Sequence, residues 1–242
     1  MRVAFAGSPE AAVAPLRALA GSRHEVTVVV TQPDKARGRS RRPSPTPVGA
    51  AAEELGLPVL RPATINDPDV IAQIAGGGAE ALVVVAFGQI LRDAVLSRWP
   101  CINVHFSLLP AYRGAAPVER ALMDGADRTG VTIMVMDAGL DTGPVIAAEE
   151  TPVGEDDDAG SLVARLSQMG GPMLVRALDD LEAGRLASRP QPEEGVTIAP
   201  KITAEDRVLD LGRPAAELAR RIRALSPHIG AVATIGGEPF KI

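Results

Sequence analysis

Apolar residues in this chain come in short, nearly unbroken runs: 2–6 (RVAFA), 25–31 (EVTVVVT), 81–87 (ALVVVAF) and 101–105 (CINVH). Runs of this length, rich in Val and closed by Gly, Pro or charge, predict strands buried on both faces, as in a parallel sheet. The most apolar of them, 81–87, is the expected central strand. Helices are predicted between the runs at 11–20, 47–55 and 68–75, and a further one runs from the turn at Gly88 to about residue 98. Ser8 is the expected N-cap of the first helix, with Pro9 at its first position. The opening β-α-β order predicts an α/β fold with a doubly wound sheet. Its first turn is not GxGxxG, which argues against a dinucleotide cofactor.

Further along, 116–123 reads as a helix closed by Gly125. Residues 130–137 (GVTIMVMD) alternate as a strand does, and 145–148 make another short strand. Residues 159–182 form a long amphipathic helix with an expected bend at Gly170-Gly171-Pro172. Residues 185–192 are linker-like, 196–202 extended and 214–225 helical, and 226–242 hold short strands with glycine turns.

Composition sharpens this picture in three places. Hydrophobic residues make up 46% of the 242 residues and aromatics only 2%, so Ala, Val, Leu and Ile must build the core. The net charge is −5, yet Lys35, Arg37, Arg39, Arg41 and Arg42 place five positive charges within eight residues. They lie in a loop, 32–47, whose prolines, glycine and serines oppose regular structure. Such a loop suits a phosphate backbone, where Lys and Arg gain affinity by releasing counterions; the plainer alternative is a solvated loop. The single cysteine, Cys101, excludes an internal disulfide and sits in an apolar run, as a buried inert thiol does. No run is long enough to span a membrane and the start lacks a signal-peptide pattern, so a cytoplasmic protein is expected. His24 and His228 have no ligand-spaced partners, and no metal is expected.

The chemistry concentrates at strand ends, where open parallel sheets bind ligands. Asn103 and His105 stand two apart on a strand and therefore face the same side. An amide that donates to a carbonyl oxygen, beside an imidazole that moves a proton, suits attack of an amine on an acyl carbon. A carboxylate would orient the ring, and Asp137 and Asp141 in a glycine-rich loop both qualify, although both are also ordinary turn residues. Ser107 lacks the GxSxG elbow of a nucleophilic serine.

Residues 102–117 (INVHFSLLPAYRGAAP), followed by 130–145 (GVTIMVMDAGLDTGPV), resemble the folate-dependent formyltransferases. The 5–9 turn (FAGSP), Gln32-Pro33-Asp34 with the basic loop, Arg113–Pro117 and Ala199-Pro200-Lys201-Ile202 are similar to the branch that acts on a tRNA-borne amine. The resemblance implies a Rossmann-like catalytic domain over 1–188, a linker over 189–204 and, over 205–242, the start of a C-terminal OB-like β-barrel that binds tRNA. It implies 10-formyltetrahydrofolate as formyl donor and the amino group of initiator methionyl-tRNA as acceptor; a monomer is expected. It implies Asn103, His105 and Asp141 as the catalytic trio. Phe87, Gly88, Gln89, Ile90 and Leu91, then Ser107, Leu108, Leu109 and Pro110, then Ala138, Gly139, Leu140 and Thr142 would line the folate site. Lys35, Arg37, Arg39, Arg41 and Arg42 would meet the tRNA. Phe106 stands where Gly or Ala is common, on the side of the strand away from Asn103 and His105. Other amine acceptors, glycinamide ribonucleotide or an amino-sugar nucleotide, and a non-catalytic folate- or RNA-binding module are the competing readings.

Overall fold

A computed structural model describes residues 1–36 and 43–242. Among them the strands and helices run, in order, β1 (Arg2–Gly7), α1 (Val13–Ala20), β2 (Glu25–Val30), β3 (Lys35–Ala36), β4 (Pro43–Ser44), α2 (Pro47–Glu54), β5 (Val59–Leu60), α3 (Pro68–Gly76), β6 (Ala81–Val85), α4 (Asp93–Leu96) and β7 (Cys101–His105). There follow β8 (Arg113–Gly114), α5 (Pro117–Asp124), β9 (Arg128–Val135), β10 (Val145–Pro152), α6 (Ala159–Glu182), β11 (Ile198–Ala199), α7 (Ala215–Leu225), β12 (Val232–Ile235) and β13 (Glu238–Lys241). Seven strands form one sheet in the order β10-β9-β7-β6-β1-β2-β5. The strands from β5 to β7 are mutually parallel, and β9 pairs antiparallel to β7.

The chain divides into two compact units, the first made of residues 1–105, 132–147 and 167–191 and the second of 106–131, 148–166 and 192–242. In the first, every residue of β6 and β7 is buried, which is why these segments read as continuous apolar runs. Ala4, Ala6, Val28, Val30, Leu82, Val84 and Phe87 form its core with Ile65, Ile74 and Trp99. Helix starts follow local chemistry. Pro47 and Pro68 open α2 and α3, and the side chains of Thr46 and Asp67 accept from the N–H groups of Gly49 and Asp69. Gly171 on α6 is required by close approach, since a Cβ there would lie 2.8 Å from that of Ala18.

Several expectations need correction. Ser8 does not cap the first helix, which begins as a 3₁₀ turn at Glu10–Ala12 with no side-chain cap. The Ser8 hydroxyl instead donates to the Phe87 carbonyl (3.4 Å) and accepts from the Gln32 N–H (3.2 Å), joining the ends of three strands. The segment after Gly88 forms only the short α4, and β10 runs on to Pro152. The 32–47 loop is not wholly irregular, because Lys35 and Ala36 pair with Ser44 and Pro43 in a small ribbon.

In the second unit Leu209, Leu225, Ala231 and Ala233 form a small core flanked by Met123, Leu218 and Ile222. Phe106 is buried, as a packing residue would be. The β12–β13 hairpin turns on Gly236-Gly237, both at positive φ (61° and 89°), as a two-residue hairpin loop requires. It leaves Ile235, Phe240 and Ile242 exposed.

Candidate active site

Strand β7 sits between β6 and β9, with Asn103 opposite Val84 on one side and Met134 on the other. The alternation of the strand sends Asn103 and His105 to the same face, and both are buried. Asp141 meets them there. The Asn103 amide Nδ2 donates to Asp141 Oδ1 at 3.5 Å, and Asp141 Oδ2 lies 3.8 Å from His105 Nδ1. One carboxylate thus addresses the amide with one oxygen and the imidazole with the other. The first is a long hydrogen bond and the second an ion-pair distance rather than a hydrogen bond.

The loop that delivers Asp141 is internally braced. Asp137 Oδ1 accepts from the Gly139 N–H (3.0 Å) and from the Thr142 hydroxyl (2.7 Å). Asp137 is therefore occupied in closing the loop, while Asp141 is the carboxylate beside His105. Gly139 and Gly143 are needed sterically. A Cβ on Gly139 would lie 1.9 Å from Thr142 Oγ1, and one on Gly143 only 1.8 Å from the Val135 carbonyl. Asp141 itself has φ 51°, a left-handed conformation that costs a non-glycine residue about 1–3 kcal/mol. Gln191 meets the same loop: its Nε2 donates to the carbonyls of Asp141 and Gly143, both at 2.8 Å. Gln191 lies in the linker-like 185–192 stretch and was not among the expected site residues; its only local signal is its place between Pro190 and Pro192.

Of the remaining expected site residues, Phe87 to Leu91 follow β6. The Phe87 carbonyl accepts from Ser8 and from Gln32 Nε2 (3.1 Å). Gln89 Oε1 accepts from the Ile65 N–H at 2.8 Å. Phe87 and Leu91 are buried, whereas Ile90 is 83% exposed; Leu140, in the Asp141 loop, is 59% exposed. A cavity of about 320 Å³ lies beside this turn, lined by Ser8, Gln32, Lys35, Thr46 and Phe87 among others. Gln32 and Thr46 were not expected there. Ser107, Leu108, Leu109 and Pro110 belong to the second unit, where the Ser107 hydroxyl donates to the Ala111 carbonyl at 2.6 Å. Lys35 is exposed, with Nζ 3.4 Å from Gln32 Oε1. Arg37, Arg39, Arg41 and Arg42 lie outside the described residues.

Two other titratable sites are distinct from this one. Burial pushes the Cys101 thiol up to about 12, so it is not a thiolate nucleophile. His24, Asp179 and Glu182 cluster tightly enough to resemble metal ligands. Their carboxylates are already met by cations: Arg23 lies 2.6 Å from each, and the Met1 ammonium bonds Glu182.

The sheet is mixed and mainly parallel, and an amide, an imidazole and a carboxylate meet at one of its strand ends. The formyl transferase family model matches residues 1–178, and the model of the formyl transferase C-terminal domain matches 201–242. The chain belongs to the formyl transferase family. Methionyl-tRNA formyltransferase of Chromohalobacter salexigens is 49% identical over 244 residues, covering all of this chain and 75% of its own length. Among solved structures, a 4-N formyltransferase from Francisella tularensis superposes with a TM-score of 0.77 at 15% identity, covering 100% of this chain and 96% of its own. An N-formyltransferase from Helicobacter canadensis, in complex with folinic acid and dTDP-3-aminofucose, gives 0.72 at 17%, covering 97% and 84%. No helix among the described residues is long and apolar enough to cross a membrane.

Proposed function

We propose that this chain transfers the formyl group of 10-formyltetrahydrofolate to the amino group of methionine carried on initiator tRNA. The observation that carries the chemistry is the Asp141 carboxylate shared between Asn103 and His105 on buried strand β7. The choice of acceptor is supported by the 49% identity, along the whole chain, to a methionyl-tRNA formyltransferase, and by the basic 35–42 segment.

The roles follow from the side chains. The amine lone pair attacks the formyl carbon, and negative charge gathers on the formyl oxygen. Asn103 has two amide hydrogens; one is directed at Asp141, and the other donates to that oxygen. His105 takes the proton released by the attacking nitrogen and returns it to the departing nitrogen as the old C–N bond breaks. The products are the formylated amine and tetrahydrofolate. Asp141 fixes the imidazole ring and stabilises its protonated form while it carries the proton.

The formyl donor is a substrate here, and residues 87–91 and 138–142 are its expected holders. They fit a flat, polar-edged heterocycle in kind: Ile90 and Leu140 offer exposed apolar surface, on strand-end loops braced by Gln32, Gln89 and Asp137. The second amine-acceptor reading is separated by one assay. With 10-formyltetrahydrofolate as donor, methionyl-tRNA is formylated and glycinamide ribonucleotide is not; formylation of the nucleotide alone would overturn the proposal.

A further inference from the structure

We infer that Gln191 is a positioning residue for the transfer: it holds Asp141 in the left-handed conformation that brings its carboxylate to Asn103 and His105. The inference rests on the role proposed above for Asp141 and concerns how that role is maintained.

Asp141 needs such support. Its φ of 51° is unfavourable for a residue with a side chain, and the loop must keep the carboxylate on the β7 face rather than in solvent. Asp137 braces the loop from within, through the Gly139 N–H and the Thr142 hydroxyl. Neither of those bonds touches the peptide that leaves Asp141 or the one that leaves Gly143. Gln191 does: one amide nitrogen donates its two hydrogens to the carbonyls of Asp141 and Gly143, which fixes the orientation of the peptide that leaves Asp141. Rotation of that peptide is the motion that would swing the carboxylate away.

Gln191 is itself well anchored. Arg189 pairs with Val145 in both directions, N–H to carbonyl at 2.9 Å and 2.8 Å, tying this arm to the first residue of β10. Pro190 and Pro192 restrict the backbone around Gln191, so its main chain has little conformational freedom left to lose. A neutral primary amide is the one side-chain group that donates twice from one atom without adding charge beside the Asp141–His105 pair.

A double-mutant cycle tests the inference. In single-turnover formylation of methionyl-tRNA, Gln191→Ala is expected to lower the rate about 10- to 100-fold, the cost of misplacing a group by roughly 1 Å. Gln191→Met, which keeps length and bulk but removes both donors, is expected to show the same loss with a melting temperature close to that of the parent. KM for methionyl-tRNA should stay within about threefold in both, because Gln191 acts through Asp141 and not on the acceptor. In an Asp141→Ala background the Gln191 substitutions should have no further effect. A full additional loss in that background would show that Gln191 acts elsewhere, and a near-parental rate for Gln191→Met would remove it from the mechanism. If Asp141→Ala alone retained the parental rate, the role of Asp141 would fall, and this inference with it.

Discussion

Asp137 and Asp141 lie in one loop and do opposite work. Asp137 turns inward and closes the loop with two hydrogen bonds, while Asp141 turns toward the imidazole of His105. Spacing leaves them equally eligible, because what separates them is the backbone conformation of each, a tertiary fact. Asn103 and His105 were legible for the opposite reason: a strand has period two, so their shared face is fixed by sequence alone. Ser8 was misread because Ser-Pro before an apolar helix is ordinary capping grammar, and nothing local announces the carbonyl of Phe87. His24 offers a test at this scale. Burial lowers its pKa below 6.5, the Met1 ammonium adds to that, and Asp179 and Glu182 oppose it. Below pH 6.5 the unfolded chain binds a proton that the folded chain resists, so this contribution to stability is present above pH 6.5 and is lost as pH falls through the depressed value. The melting temperature should decline between pH 7 and 5, and His24→Gln should make that decline shallower. Parallel curves for parent and variant would contradict the assignment.

At the scale of elements, the helices that open on proline or close on glycine were the easiest to place. Pro117 begins α5 and Gly125 ends it in a left-handed conformation, as the sequence suggests. The stretch after 199 is held by side chains rather than by a sheet. Arg120 on α5 donates to both carboxylate oxygens of Asp206 (2.8 and 2.6 Å) and to the carbonyls of Pro200 and Lys201. This fork of hydrogen bonds holds the Asp206 carboxyl down at about 2. The stabilisation is thus present above about pH 3.8 and is lost as pH falls toward 2. Arg120→Leu should cost roughly 1–3 kcal/mol in urea unfolding at pH 7, because it removes the guanidinium from Asp206, which keeps only the Thr203 N–H of its backbone donors, and from two carbonyls. An unchanged midpoint would show that these bonds only replace equally good ones to water.

Across the whole molecule, the alternation of strand and helix was readable because a sheet covered on both faces needs unbroken apolar strands. The partition into two compact units was less so, since its boundaries pass through β9, β10 and α6, where composition does not change. Residues 130–137 were legible as a strand, but the antiparallel direction of β9 was not, because it is set by its pairing with β7 and it is buried along most of its length as its parallel neighbours are. The chain spans about three quarters of the length of its Chromohalobacter relative. Within that span it carries the strand β7, the Asp141 loop and the basic segment on which the proposed reaction depends. The most direct test is the single-turnover formation of formylmethionyl-tRNA from 10-formyltetrahydrofolate by His105→Ala, with donor binding measured on the same preparation. The proposed mechanism predicts a rate lower by at least about 100-fold with donor affinity within about threefold of the parent, since the ring acts on the transition state. A rate near that of the parent would contradict it.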